Sequence, residues 1–298
     1  PIYAFFRLLD FDRETSYQFW FLVIFTLNYF SCAWVLRKFS INALGATAGA
    51  FIFSFSLPMA AQMNHSQLLP RFMIPFAFYF TFKYIENRNN KILALACLAV
   101  SIQFYLTMYM GFFLILGLIS LIAASVLLRD KRQETIRAFL VGTYREVPLR
   151  IITIVILFIT LLPLIIPYRT TSLELGTRSW GEIEMFLPRI TSYFSPLNGS
   201  LLWSWLSPIA GSLGMTGEHH LFVGALPVAA FIMMPLFYYR YRAEPLMKYG
   251  MLAWLAIVFL TVITLHFGYS LYRSALHIPG MDGLRVVTRI ILMKLFLL

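Results

Sequence analysis

The chain has 298 residues, of which 60% are hydrophobic and 12% are charged, and its mean hydropathy is +0.76. Soluble domains carry about 25% charged residues, so this composition excludes an ordinary soluble globular protein. The formal net charge of +11 gives no indication of nucleic-acid binding, because basic residues in the loops of such a chain set its orientation and meet anionic lipid.

Apolar runs closed by basic clusters predict an all-α fold, a polytopic transmembrane helical bundle of about nine spans. We expect residues 1–298 to form a single transmembrane domain. The chain begins at Pro1 without a methionine and ends at Leu298 within an apolar run, so we expect it to be a fragment. The predicted spans are Tyr17–Leu36, Ile41–Leu57, Leu68–Ile85, Ile92–Leu106, Gly111–Leu128, Ile151–Pro167, Leu221–Tyr239, Gly250–Phe267 and a truncated span from about Val286.

The segment Ile92–Leu128 could form one long helix or two short ones. A break at Tyr109-Met110-Gly111 would allow a tight reversal. Two helices place Lys91 and the following basic cluster on the same side of the membrane, as the positive-inside rule expects. We therefore predict two spans here. The basic cluster consists of Arg129, Lys131, Arg132, Arg137, Arg145 and Arg150.

The resulting topology separates the basic residues by type. The predicted inner side carries five lysines and nine arginines, whereas the predicted outer side carries nine arginines, no lysine and all five histidines. Arginine and histidine without lysine indicate a selected outer surface as well as an orientation signal. The outer arginines are Arg7, Arg13, Arg71, Arg169, Arg178, Arg189, Arg273, Arg285 and Arg289, and Lys294 falls within the truncated span.

The largest predicted outer loop, residues 168–220, is too long for a plain connector. Its apolar positions from Trp180 to Ile190 recur at helical spacing, and residues 201–209 form a second stretch rich in tryptophan. Both stretches are typical of helices that lie in the membrane interface.

Five outer arginines are candidates for binding a phosphate or diphosphate at the membrane surface. A guanidinium binds phosphate oxygens at two points and stays charged near lipid. The alternative is that each arginine anchors the chain to lipid headgroups. The candidates are Arg71, Arg178, Arg189, Arg285 and Arg289.

Candidates for proton transfer and metal binding also lie on the predicted outer side. His65 could orient a substrate hydroxyl or transfer a proton, or it could be an interfacial histidine bonded to backbone. Asp10 and Asp12 form a D-x-D, a spacing that holds a divalent metal ion and sugar phosphates in many glycosyltransferases, although Asp12 could equally cap a helix. Glu218 and His219 are weak metal candidates, because adjacent residues on a helix diverge by about 100°.

Several stretches resemble one known group of proteins, the bacterial polytopic membrane glycosyltransferases of the GT-C superfamily, in the YfhO-like branch. The stretches are the Ala-Gln-x-x-His…Leu…Pro pattern at Gln62, His65, Leu69 and Pro75, the break from Tyr105 to Gly111, Tyr193-Phe194-Ser195-Pro196, Phe222-Val223-Gly224, and Ile278-Pro279-Gly280 followed by Arg285 and Arg289.

The resemblance implies a multi-pass enzyme of the bacterial inner membrane that takes sugar from a polyprenyl-phosphate donor and passes it to an envelope glycan or lipid acceptor. A carboxylate in the first outer loop would deprotonate the acceptor, and arginines or a divalent metal ion would stabilise the leaving phosphate. We expect that carboxylate to precede Pro1, with Asp10 and Asp12 as substitutes. Alternative functions are a transporter or flippase of lipid-linked saccharides and a polymerase or ligase of surface polysaccharide.

Overall fold

The computed structural model describes residues 2–141, 146–176, 178–211, 213–277 and 280–298. Over these residues the regular structure is all helical, with no strand, which confirms the all-α part of the predicted fold. Arg145, Ile278 and Pro279 lie outside the described residues. The helices are α1 (Ile2–Leu8), α2 (Arg13–Lys38), α3 (Ala43–Phe55), α4 (Leu57–Ala61), α5 (Met73–Asn87), α6 (Asn90–Leu106), α7 (Met108–Leu127), α8 (Arg129–Leu140), α9 (Glu146–Leu175), α10 (Trp180–Glu184), α11 (Ala225–Tyr241), α12 (Pro245–Thr264), α13 (Tyr272–Ala275) and α14 (Ile291–Lys294).

Within the described residues, five helical stretches are long and apolar enough to cross a membrane. The predicted ninth span does not continue as a long helix. From Val287 the chain forms a short 3-10 helix and then the four-residue α14, and both are buried in the core. The five stretches are Arg13–Lys38, Ala43–Ala61, Met108–Leu127, Glu146–Thr171 and Pro245–Thr264.

The predicted division of Ile92–Leu128 into two helices is confirmed, with the break at Thr107 rather than at Tyr109–Gly111. Gly111 lies just beyond the break and allows the two helices to approach closely. A Cβ atom at Gly111 would lie 2.5 Å from Cγ of Phe104 on α6. A larger residue at position 111 would therefore push α6 and α7 apart.

Contacts at the predicted inner end show that α7 runs back alongside α5. Glu86, at the end of α5, pairs with Lys131 of α8 at 3.7 Å and accepts a hydrogen bond from Tyr249 of α12. The hydroxyl of Tyr84 donates to the carbonyl of Ala138 at 2.8 Å. These contacts place the ends of α5 and α7 and the start of α12 together, as the charge pattern predicts.

The loop predicted to start at residue 168 starts later, because α9 continues through Pro163 and Pro167 to Leu175. Arg169 consequently lies on α9. Beyond it, α10 and the 3-10 helices Ile190–Phe194, Ser204–Ala210 and Thr216–His219 form the rest of the loop. The loop is helical in short pieces, and its Leu201 and Trp205 side chains are exposed, as expected of residues that meet an interface.

Candidate functional site

An ion pair between Glu218 and Arg289 lies at the predicted outer end of the bundle. The Arg289 guanidinium donates from Nε to Glu218 Oε2 at 3.1 Å and from Nη2 to Glu218 Oε1 at 2.5 Å. Two parallel contacts fix both planar groups in one orientation. The side chains are 8% and 13% exposed, so water screens the pair weakly.

Gln62 and His65, from the short segment between α4 and α5, complete this group. Gln62 Nε2 donates to Glu218 Oε2 at 2.9 Å. His65 Nε2 lies 3.0 Å from Arg289 Nη2 and 3.4 Å from Glu218 Oε1. The His65 side chain is 38% exposed, so it connects the buried pair to solvent. We call Gln62, His65, Glu218 and Arg289 the Glu218 cluster.

Tyr109, at the reversal between α6 and α7, contacts this cluster. Because α7 begins at Met108, Tyr109 lies in its first turn, at the predicted outer end. The ring of Tyr109 lies beneath the Arg289 guanidinium, 5.7 Å from centroid to Cζ. Its hydroxyl accepts a hydrogen bond from the main-chain nitrogen of Val286 at 3.4 Å. Tyr109 therefore positions the segment that carries Arg289.

The cluster favours the ionised form of Glu218. Burial opposes ionisation, but the hydrogen bonds and positive charge of Arg289, together with Gln62 and His65, outweigh burial and lower the pKa of Glu218. Glu218 in this state is a weak base, held by its cation. An anion that takes over Arg289 would remove the main stabilisation of the carboxylate and raise its pKa.

The predicted phosphate-binding arginines do not converge on one point. Arg289 belongs to the Glu218 cluster. Arg285 is exposed, with its guanidinium 5.3 Å from the ring of Phe186. Arg189 is partly exposed and lies close enough to His219 to influence its charge, whereas Arg178 is exposed and pairs with Glu182 at 3.8 Å.

Arg71 differs most from its predicted place at the surface, because it is fully buried in the interior. Its guanidinium donates to the carbonyls of Phe53 and Leu292, both at 2.9 Å. Its main-chain nitrogen donates to Asn28 Oδ1 at 2.9 Å. The guanidinium thus donates to protein atoms, so Arg71 has a structural role in this conformation.

Asp10 and Asp12 lie in the turn between α1 and α2. Asp12 caps α2 by accepting from the Thr15 nitrogen at 2.8 Å, which is the alternative that its position before a helix predicted. Asn28, sixteen positions later on α2, is the residue that contacts the segment containing Arg71. At 1.5 Å per residue, Asp12 is about 24 Å along the helix from that point.

The residues do not fit a metal site at Glu218 and His219. The two ring nitrogens of His219 are both engaged: Nδ1 lies 2.8 Å from Ser192 Oγ and Nε2 lies 3.0 Å from the Met185 carbonyl. A carbonyl only accepts, so Nε2 carries a proton, and in the neutral imidazole Nδ1 accepts from the Ser192 hydroxyl. Among the described residues, no group of three His, Cys, Asp or Glu side chains could hold a metal ion.

We expect the protein to lose stability as the pH falls below about 6.5. Burial is the largest influence on His219 and lowers its pKa below the ordinary value of 6.5. The unfolded chain then binds a proton that the folded chain excludes, so stability is complete above that value and decreases on acidification. The midpoint of thermal unfolding in detergent, measured from about pH 7.5 to about pH 5.5, checks this.

The matched variant for this pH dependence is His219→Gln. It should unfold at a lower temperature than the wild type at neutral pH, but with a weaker dependence on pH. An equal pH dependence in the two proteins would contradict the assignment to His219.

The pairing of Glu218 with Arg289 was missed by reasoning from the sequence. The sequence indicates Glu218 only as a metal candidate, and Tyr109 only as part of a break. The spacing of Gln62 and His65 was the available signal, because two polar side chains three residues apart in a short apolar hairpin can face one point.

Comparison with known families gives one match. Residues 13–285 match a family model described as a domain of unknown function, DUF6311. No curated protein matches the chain, and no solved structure does. The match extends from the start of α2 to Arg285 and includes three of the four residues of the Glu218 cluster. The chain therefore belongs to the DUF6311 family.

Proposed function

We propose that this chain is a glycosyltransferase-like membrane protein, which transfers a sugar from a polyprenyl-phosphate donor to an envelope acceptor at the outer face of a bacterial inner membrane. The observation that carries the proposal is the Glu218 cluster. It combines a carboxylate, a guanidinium and a partly exposed imidazole, which are the groups that such a transfer needs.

The proposal includes eight membrane crossings, one fewer than the nine that the sequence predicts. The five long apolar stretches would cross the membrane together with α5, α6 and α11, which have 15 to 17 residues. The reversal at Thr107 supports this count, because it returns α7 to the side from which α6 came. The segment from Val287 onward would then pack inside the bundle rather than cross it.

Exchange of partners at Arg289 would link donor binding to catalysis. The donor phosphate and the Glu218 carboxylate compete for the same guanidinium, because it binds either anion at two points. When phosphate binds Arg289, Glu218 loses its cation and becomes a stronger base. Donor binding would thus activate the carboxylate that deprotonates the acceptor.

The transfer step then follows from these positions. Glu218 takes the proton from the acceptor hydroxyl, and the acceptor oxygen forms a bond to C1 of the sugar. The bond between C1 and the phosphate oxygen breaks, its electron pair leaves with the lipid phosphate, and Arg289 stabilises that charge. His65, adjacent to both groups and partly exposed, would orient the acceptor hydroxyl.

We expect Glu218→Gln and Arg289→Ala to lower sugar transfer by about 100-fold or more, because each removes a group that acts in the transition state. The measurement is transfer from a panel of polyprenyl-phosphate hexoses to endogenous acceptors in membrane fractions. The matched control is Glu174→Gln, an exposed carboxylate on the last turn of α9, which should retain full transfer.

Two outcomes would change the proposal. Wild-type transfer rates in folded Glu218→Gln and Arg289→Ala proteins would contradict it. Full transfer in Arg285→Ala would instead make that exposed arginine a lipid anchor and leave the role of Arg289 unaffected.

Transport or flipping of a lipid-linked saccharide is a second candidate. The observation that favours it is the burial of two cations, Arg71 and Lys294, among the helices. Ionisable residues buried between membrane helices often mark a substrate path. Movement of a fluorescent lipid-linked saccharide across protein-containing vesicles, without sugar transfer, would favour this candidate.

A further inference from the structure

Lys294 is a buried cation that lines an apolar groove. Its side chain belongs to α14 and is 1% exposed. The groove, of about 410 Å³, lies between α11, α12 and α14 and is bordered by the 3-10 helix that contains Tyr193. This volume is within the range of about 300–1,000 Å³ that is typical of ligand sites.

The ammonium group of Lys294 has only neutral acceptors in the described part of the chain. Nζ donates to Tyr193 Oη and to Thr261 Oγ1, both at 3.0 Å. An ammonium has three donors, and no carboxylate of the described residues lies within ion-pair distance of it. A buried charge without a counter-ion is costly, so this position calls for an anion.

The other three buried cations of the described residues differ in this respect. Arg150 pairs with the Glu146 carboxylate at 3.5 Å. Arg289 has the Glu218 carboxylate, and Arg71 has two main-chain carbonyls, each freed by an interrupted helix. None of these three lines the groove, whereas Lys294 does.

The groove changes from polar to apolar along its length. Thr261 lies in the last turn of α12, and Ile257 and Val258 lie one turn deeper. Phe231 and Ile232 of α11 face the same deeper part, and Ile232 is 67% exposed. The polar end therefore lies near the predicted outer surface, and the apolar part opens sideways, where acyl chains of a bilayer would be.

We propose that this groove binds an anionic phospholipid of the outer leaflet, with its phosphate on Lys294 and one acyl chain along α11 and α12. The phosphate supplies the missing counter-ion through a charge-assisted hydrogen bond from the third donor of Nζ. The acyl chain covers the apolar walls of the groove, which would otherwise border a void. Binding of this lipid requires no sugar transfer, so the inference rests on the proposed membrane topology and not on the proposed transfer.

The test uses the purified protein, stripped of lipid in detergent and titrated with phosphatidylglycerol, phosphatidylcholine or inorganic phosphate. Native mass spectrometry measures retention, and thermal unfolding measures stabilisation. We expect retention of phosphatidylglycerol in preference to phosphatidylcholine, and no competition by inorganic phosphate. Lys294→Met should weaken retention of phosphatidylglycerol by about tenfold or more, the effect of one charge-assisted contact.

Two readouts separate lost binding from lost folding. Without lipid, Lys294→Met should unfold at the same temperature as the wild type or higher, because the variant lacks an uncompensated buried charge. Phosphatidylglycerol should then raise the unfolding midpoint of the wild type and not that of the variant. Glu218→Gln should keep lipid binding even where transfer is lost.

A second variant tests the acyl chain and leaves the cation in place. Val258→Trp fills the groove and should abolish retention, whereas Ile159→Trp, on the exposed face of α9, should leave it unchanged. The proposal is overturned by equal retention in Lys294→Met, by unchanged retention in Val258→Trp, by displacement with inorganic phosphate, or by a wild type that retains no phosphatidylglycerol.

Discussion

Removal of the Glu218 carboxylate is expected to destabilise the folded protein by about 3–5 kcal/mol, because Glu218→Ala leaves the buried Arg289 guanidinium without its counter-ion. Arg289 is buried and donates to both carboxylate oxygens of Glu218. His65 cannot replace the carboxylate, since a neutral imidazole offers one acceptor and no charge.

A double variant separates the interaction energy of the Glu218–Arg289 pair from the effects of each side chain on its surroundings. Arg289→Met combined with Glu218→Ala removes both charges, so the double variant should be more stable than the sum of the two single losses predicts. We expect a coupling energy of about 1.5–3 kcal/mol from such a cycle. The measurement is unfolding in detergent, for the wild type, the two single variants and the double variant.

Additive losses would contradict the pairing of Glu218 with Arg289. This experiment measures folding alone, so it tests the geometry of the Glu218 cluster whether or not the protein transfers sugar. It also decides how the activity variants should be interpreted. If Glu218→Ala unfolds in detergent, Glu218→Gln becomes the informative variant for transfer, because its amide keeps one acceptor for Arg289.

The helices could be predicted from the sequence where length and charge act together. The apolar run Tyr17–Leu36 lies within α2, and basic residues at its end mark the predicted inner side. The separation of α6 from α7 followed from the charges on either side, although the sequence placed the break too late. The residue that decides the close approach, Gly111, was within the predicted break but acts on the neighbouring helix.

The final apolar run illustrates where periodicity fails. Residues from Val286 onward are apolar enough for a span, yet they form a 3-10 helix and one short α-helix. Met293 packs against Gly117 of α7, so burial in the core replaces contact with lipid. An apolar run predicts that its side chains avoid water, but not whether they contact lipid or the protein core. Here the packing against α7 decides for the core.

The Glu218 cluster could be predicted only in part. The sequence placed Gln62, His65, Glu218 and Arg289 on one side of the membrane. The pairing joins residues 71 positions apart, and Gln62 meets Glu218 across 156 positions. No local pattern specifies such contacts, because they depend on how the loops fold over one another.

Arg71 shows the same limit for a buried group, and its replacement is the second large effect that we expect. Arg71→Met should destabilise the protein by about 2–4 kcal/mol, because two buried carbonyls lose their donor. The Phe53 carbonyl lies in the last turn of α3, where the extended backbone of Ser56 interrupts the continuation into α4. The Leu292 carbonyl lies in α14, and the nitrogen of Phe296 bonds to Met293 instead.

Methionine matches the length of the arginine stem, so the expected loss measures the hydrogen bonds rather than a large cavity. The matched control is Arg240→Met, an exposed arginine at the end of α11, which should change stability by less than about 0.5 kcal/mol. Unfolding in detergent compares the two variants. If Arg71→Met were as stable as Arg240→Met, the interior arginine would not hold the broken helix α3–α4 to α14, and the predicted role of Arg71 in binding a phosphate would regain support.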